Sequence, residues 1–327
     1  MKIEDDIRGF REKITAVRQA IASRVVGQND IVDQMLVCLL TGGHALIEGV
    51  PGLGKTYIIR TLSSVLDLVS RRVQFTPDLM PADIIGTNVL AETDSGATRV
   101  MFQQGPLFAN IVLADEINRA TPKTQSALLE AMQEARVTVS GTTHELTLPF
   151  MVLATQNPLE MEGTYPLPEA QLYRFFFKLL IDYPDSTEML EILNRTTGTP
   201  AGPPEPVMNA ADVVALQTLV RQVPASEEAM RLAVLIVGAT HPGGASELAT
   251  RFVRYGASPR GAQALVLAAK VYALFEDRVA VAFDDVRKAA LPALRHRIIL
   301  SFQGEAEGIT TDHVISDILA KIPDLGA

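Results

Sequence analysis

Apolar positions in the first half of the chain fall into short blocks. "HALIEG" (44–49), "RVQFT" (72–76), "IVLADE" (111–116), "FMVLATQN" (150–157) and "RFFFKLLI" (174–181) are runs of β-formers bounded by polar or turn residues, and they predict strands. Between them, "GKTYIIRTLSSVL" and "TPKTQSALLEAMQEA" repeat apolar residues at helical spacing. Strands alternating with helices predict a wound α/β sheet with mostly parallel strands. Two segments break the rhythm: 87–103 and 136–148 read as β-hairpins, with turns at Asp94-Ser95-Gly96 and Ser140-Gly141. The stretch 194–210, rich in Pro, Gly and Thr, predicts a linker, and 211–327 predicts helices to the end. The expected organisation is therefore an α/β domain over 1–193 with a leading helix, then a helical domain over 211–327, with no internal repeat.

Composition narrows the class. A chain of 327 residues, 47% of them hydrophobic, can bury a large core. Its one cysteine, Cys38, sits in the apolar run "MLVCLL" and predicts core packing in a reducing compartment. The charged start "MKIEDDIRGFREK" has no apolar signal region, and no stretch approaches the roughly twenty apolar residues of a membrane span. A soluble, cytoplasmic protein is expected. A net charge of −9 argues against non-specific capture of a nucleic-acid backbone.

The strongest chemical signal is "GVPGLGKT", Gly49 to Thr56, which follows a predicted strand and opens a predicted helix. Gly52 and Gly54 allow backbone N–H groups to curl around phosphate oxygens, and the helix N-terminus adds a favourable dipole. Pro51 and Leu53 complete the loop, Lys55 reaches the β- and γ-phosphates, and the Thr56 hydroxyl ligates Mg²⁺. This loop alone leaves kinases, GTPases and ATP-driven motors open. "NIVLADEINRA" narrows the choice: Asp115 at a strand end can hold Mg²⁺ through water, and Glu116 can polarise an attacking water. Asn157, closing another apolar strand, would converge with Lys55 and Asp115 at the carboxyl ends of the sheet and meet the γ-phosphate or the water.

"GVPGLGKT", "QFTPDLMPADIIGT", "GPLFANIVLADEINRA", "LATQNPLEMEGTYPLPEAQLYRF" and "GASPRG" together resemble a MoxR-type AAA+ ATPase over nearly the whole chain. The resemblance implies a P-loop wound parallel sheet with two β-hairpin inserts, an all-helical lid, and a homo-oligomeric ring, usually a hexamer, with ATP at subunit interfaces. Residue by residue it assigns Gly49, Gly52, Gly54, Lys55 and Thr56 to Walker A, Asp115 and Glu116 to Walker B, Asn157 to sensor 1 and Arg260 to sensor 2 on the lid. Arg174 matches the arginine of the family's "EAQLDRF", which resembles an arginine finger acting on a neighbour's phosphoryl group. Here Tyr173 stands where the family commonly has Asp, and a phenol cannot orient a guanidinium as a carboxylate can.

Arg119 in "EINRA" is a second interface candidate, and the cluster Arg295, His296 and Arg297 ends a lid helix as either a solvated face or a subunit contact. The histidines lack metal-ligand spacing. Val25, Val26 and Gly27 resemble the segment that lines the base pocket in AAA+ proteins. Three uses of ATP compete: remodelling of a protein client, in this family often one carrying a von Willebrand A domain; a nucleic-acid motor; and a small-molecule kinase. Glu116, the sensors and the finger candidate speak against a kinase. The two hairpins carry few cations or stacking aromatics, which speaks against strand tracking.

Overall fold

The computed structural model describes residues 2–92, 98–157, 163–198 and 202–322. Two helices, α1 (Lys2–Ala22) and α2 (Asn29–Thr41), precede strand β1 (Ala45–Glu48). The P-loop helix α3 (Lys55–Val65), β2 (Ser70–Gln74) and the short α4 (Pro81–Ile85) follow, then the hairpin β3 (Gly86–Glu92) and β4 (Thr98–Gln104). Next come β5 (Ile111–Asp115), α5 (Pro122–Glu134), a second hairpin β6 (Arg136–Val139) and β7 (Thr142–Glu145), β8 (Met151–Gln156), a one-turn α6 (Glu169–Leu172), β9 (Phe177–Leu180) and α7 (Ser186–Thr196).

The main sheet runs β2-β5-β8-β1-β9, and every neighbouring pair in it is parallel. Its inner strands are nearly continuous apolar runs because helices cover both faces. The side-chain alternation divides the core in two. Ile47, Ile111, Leu113 and Leu153 face α1, α2 and α3, while Leu46, Val112, Ala114 and Val152 face α5. Cys38 is fully buried, and burial pushes its thiol up, as expected of a packing residue.

Two strand boundaries differ from the sequence pattern. β2 starts at Ser70, two residues ahead of the expected run, although Phe75 N still reaches Asp115 O at 2.8 Å. β9 starts at Phe177, not Arg174, because the carbonyls of Phe175 and Phe176 are taken by side chains of the C-terminal helices and not by a neighbouring strand. Of the expected linker, the first residues belong to α7, which runs to Thr196, and 199–201 lie outside the described residues.

The hairpins stand where the sequence puts them. β3 and β4 pair from Gly86↔Gln104 to Glu92↔Thr98, and the turn at Asp94-Ser95-Gly96 lies outside the described residues. In the second hairpin Ser140 and Gly141 both have positive φ, 49° and 81°, as a two-residue turn of primed type requires. His144 stacks on Phe102 with ring centroids 3.9 Å apart, so the two hairpins pack on one another.

The C-terminal part is helical: α8 (Ala210–Gln222), α9 (Glu227–Ala239), α10 (Glu247–Phe252), α11 (Pro259–Phe275), α12 (Phe283–Leu294), α13 (Phe302–Ala306) and α14 (Thr311–Lys321). One short antiparallel pair, β10 (Val253–Tyr255) with β11 (Ile299–Leu300), is set among them. These helices share a continuous apolar core with the sheet. α1 buries Ile7, Phe10, Ile14, Val17 and Ile21 at helical spacing, and its Arg18 forks onto Asp33 of α2 at 2.7 and 2.8 Å while lying over the Phe275 ring of α11.

His44, just ahead of β1, is buried and spans three elements. Its Nδ1 accepts from Val152 N at 3.0 Å, so Nε2 carries the proton that it donates to Met132 O at 2.8 Å. Burial lowers its pKa from 6.5 to about 4. Because the folded value is depressed, the contribution is full above about pH 6.5 and falls as pH drops toward about 4, by on the order of 3 kcal/mol. Urea titrations across this window should show the loss, and His44→Gln should flatten that part of the profile; an unchanged slope in the variant would remove His44 as its source.

Candidate active site

At the carboxyl edge of the sheet the chain leaves β1 through Gly49 and enters α3 through Gly54. Gly52 and Gly54 have φ of +89° and +75°, and a Cβ on either would meet nothing within 4 Å, so the loop is open on the side its glycines face. Those angles, not crowding, demand glycine. Lys55 Nζ curls back onto Gly49 O at 2.7 Å. Burial holds its pKa below the ordinary lysine value, and the charges of Asp115 and Glu116 pull the other way. Thr56 is exposed on the first turn of α3.

Asp115 ends β5, and its two oxygens are held from different strands. Oδ1 accepts from Thr155 Oγ1 at 2.6 Å, and Oδ2 accepts from Arg72 Nη2 at 2.7 Å and Nε at 3.1 Å. Glu116 follows in the left-handed region at φ 57°, ψ 52°, a conformation that costs a non-glycine residue about 1–3 kcal/mol. Thr155 holds it there, accepting the Glu116 N–H at 2.8 Å. The Glu116 carboxylate then accepts from Gln74 Nε2 at 2.6 Å and Arg119 Nη1 at 3.0 Å through Oε2. Asn157, 8% exposed, follows β8 on the same edge.

Arg119, weighed as an interface residue, is paired within its own chain to Glu116. Arg72, Gln74 and Thr155 were not singled out in the sequence. The available signal was a polar residue near the end of a strand, in "RRVQ" and "LATQ", beside the strand that carries the acid pair.

The base-pocket candidates lie near this edge. Val25 is buried, Val26 half-buried, and Gly27 has φ +62° with Glu188 against it. Gln28 donates to Asp182 O at 3.2 Å, next to Ile181, whose N–H bonds Glu48 O. The cavity that Val25 and Gly27 border, about 370 Å³, is lined by α1, α2 and the turn between them, so no P-loop residue reaches it.

Arg174 and Arg260 lie elsewhere. Both line a cavity of about 460 Å³ together with Gly43, His44, Phe175 and Phe176, which precede β1 and β9. That is the amino edge of the sheet, a strand length away from Lys55, Asp115 and Glu116. The structure therefore does not bring Arg260 to the P-loop of its own chain, although a lid residue answering to the γ-phosphate was expected. Arg174 sits in the turn after α6, half-buried; the expected strand-edge position is replaced by this turn. Among the described residues no carboxylate pairs with Arg174 or Arg260, and none lines the shared cavity, whose third guanidinium is the buried Arg297. Glu130 and Glu134 line an adjoining cavity, which shares Gln133 and Arg174 with the first, without pairing to Arg174.

Similarity to known proteins fits this geometry. The model of the ATPase family associated with various cellular activities matches residues 44–177, and that of the AAA lid domain matches 245–318. The chain is 40% identical over 301 residues to chaperone MoxR1 of Mycobacterium tuberculosis, covering 91% of this chain and 78% of that protein. It is also 31% identical over 317 residues to protein MoxR of Paracoccus denitrificans, covering 91% and 92%. The chain belongs to the MoxR family of AAA+ ATPases. A crystal structure from Cytophaga hutchinsonii, of a protein assigned as an ATPase, superposes on this MoxR-family chain with a TM-score of 0.91 at 42% identity, over 98% of this chain and 97% of that one.

The oxygen donors of Thr56 and Asp115 suit a hard cation such as Mg²⁺, and no group of three or more His, Cys, Asp or Glu among the described residues forms a metal cage of its own. Thr155, 1% exposed, is the shared support of both acids in this MoxR-family site. Thr155→Val should cost about 1–3 kcal/mol of stability, since it strips a partner from Asp115 and from the Glu116 N–H. Chemical unfolding of the variant measures it, and an unchanged midpoint would show that the bridge contributes nothing.

Proposed function

We propose that this chain hydrolyses MgATP in a homo-oligomeric ring, as the family resemblance implies a hexamer, and uses the cycle to remodel a protein client. The observation that supports this most is the separation of its parts: an open P-loop and acid pair on one edge of the sheet, and on the opposite edge two arginines without ion-pair partners among the described residues. The arginines suit a neighbouring copy's site.

In this reading the P-loop amides and Lys55 bind the phosphates, while Thr56 and Asp115 would hold Mg²⁺. Bound there, the ion would neutralise charge on the phosphate oxygens. Glu116 accepts a proton from the attacking water and Asn157 orients that water or the γ-phosphate. Arg174 and Arg260 of the adjacent subunit meet the charge that develops on the transferred group. Val25, Val26 and Gly27 would contact the base.

A protein client suits the first hairpin, which exposes Leu90, Val100 and Met101. The aromatic Phe102 is used internally against His144 and is not displayed for stacking on bases. The name chaperone MoxR1 borne by a relative supports the same reading. A von Willebrand A domain protein is the partner that the family resemblance suggests.

Lys55→Ala should abolish ATP binding; retained affinity in a direct binding assay would sink the site assignment. Arg174→Ala and Arg260→Ala should each keep nucleotide affinity while lowering turnover about a hundredfold or more. Mixing either with Glu116→Gln subunits should restore part of the activity, because some interfaces then join an intact arginine to an intact acid. If Arg260 worked on its own chain's nucleotide, only the Arg174→Ala mixture would recover. A Glu116→Gln trap that retained nucleic acid and no protein would refute the remodelling role.

A further inference from the structure

Tyr173, anomalous beside the finger candidate, has a defined partner. Its hydroxyl donates to Arg297 O at 3.0 Å, across from the α/β layer to the end of α12. The contact is returned several times. Arg297 Nη2 donates to Phe175 O at 2.8 Å and Nη1 to Phe176 O at 3.0 Å; His296 Nε2 meets Phe175 O at 3.0 Å; Arg295 Nη1 reaches Lys178 O at 3.3 Å. Three successive residues of the lid thus grip the backbone that carries Arg174.

The grip is hard to open because of what Arg297 is. It is 2% exposed, and no carboxylate bridges it among the described residues. Its charge is balanced by carbonyl dipoles alone: Phe175 O, Phe176 O and Ala293 O in the last turn of α12, where helix carbonyls point outward. Burial lowers its pKa to about 10, which leaves it charged at neutral pH. Pulling the 173–176 segment away would strip acceptors from a buried cation, and that is among the most costly ways to leave a polar group unpaired.

Arg260 belongs to the same unit. It stands on the first turn of α11, lines the cavity that Arg174 and Arg297 line, and α11 packs along α12. We infer that Tyr173 and Arg297 form a clasp between lid and finger segment that fixes Arg174 relative to Arg260, so the two guanidinia present to a neighbouring site as one rigid pair. Tyr173 and Arg297 are positioning residues, acting through Arg174. In this chain the phenol supplies by a tether to the lid the orientation that an adjacent carboxylate would otherwise give. The inference rests on the reading of Arg174 as acting on a neighbour's nucleotide.

Tyr173→Phe removes the hydroxyl and keeps the ring. In steady-state ATP turnover of the full chain, kcat should fall roughly threefold to tenfold, the worth of one hydrogen bond, with KM for ATP within about twofold of the parent. In an Arg174→Ala background the same substitution should have no further effect, since there is no finger left to position. A parent-like kcat for Tyr173→Phe, or an equal loss in both backgrounds, would overturn the clasp. Undiminished turnover of Arg174→Ala alone would instead overturn the neighbour-acting role of Arg174. Arg297→Lys retains the charge but cannot fork onto two carbonyls, and should show the same kcat loss, again absent with Arg174→Ala.

Discussion

When every strand of a sheet runs the same way, its two edges become chemically different places. The parallel pairing of β1 with both β8 and β9 imposes that polarity here. Carboxyl ends collect the P-loop, the acid pair and Asn157; amino ends collect Gly43, His44 and the segment 173–176. An antiparallel β9 would have sent Arg174 to the same edge as Lys55, and the chain could have supplied its own arginine. With β9 parallel, Arg174 is kept from Lys55 by the length of the strands, and the lid adds Arg260 to the same side.

Charge distribution follows from this division. On the carboxyl edge, the charges of two carboxylates act on one ammonium, and Arg72 and Arg119 neutralise the acids from the flanks. The site is thus locally balanced, and its fine geometry depends on Thr155, which joins Asp115 to the left-handed Glu116. On the amino edge no carboxylate among the described residues pairs with Arg174 or Arg260, although Glu130 and Glu134 line a cavity beside Arg174, and Arg297 is held by carbonyls. Guanidinia left without an ion pair among the described residues are complementary to an anion brought by another molecule.

What could be read in the sequence was what is written locally. The P-loop needs glycine at two positive-φ positions and lysine next to the second, the acids end a strand, and Ser140-Gly141 needs a primed turn; each is a short-range requirement that leaves a signature. The start of β9 was misjudged because "RFFF" has the same β-rich pattern whether its carbonyls face a strand or the lid, and only the fold supplies Arg297 and His296, more than a hundred residues on. The partners of the acids escaped for a related reason. Arg72, Gln74 and Thr155 are ordinary polar residues until parallel pairing sets Gln74 level with Asp115 and brings the Arg72 and Thr155 side chains within reach of it. Tyr173 looked like a defect against the family pattern, and its partner, the Arg297 carbonyl, is visible only in the fold.

Rigidity at the lid joint matters more for an arginine offered to another molecule than for one used at home. A residue serving its own chain can adjust as the site closes around its ligand, because the same backbone carries both. A guanidinium presented across an interface has to arrive already placed, since each ångström of slack is paid in lost transition-state contact. In this fold the segment that carries Arg174 is tied down by three features: α1 spanning sheet and lid, α11 packed on α12, and the carbonyls of Phe175 and Phe176 bonded by a buried cation. Arg297 keeps the carbonyls of Phe175 and Phe176 only while that segment stays docked, so a buried charge, which taken alone is a destabilising feature, here favours the docked arrangement of the amino edge.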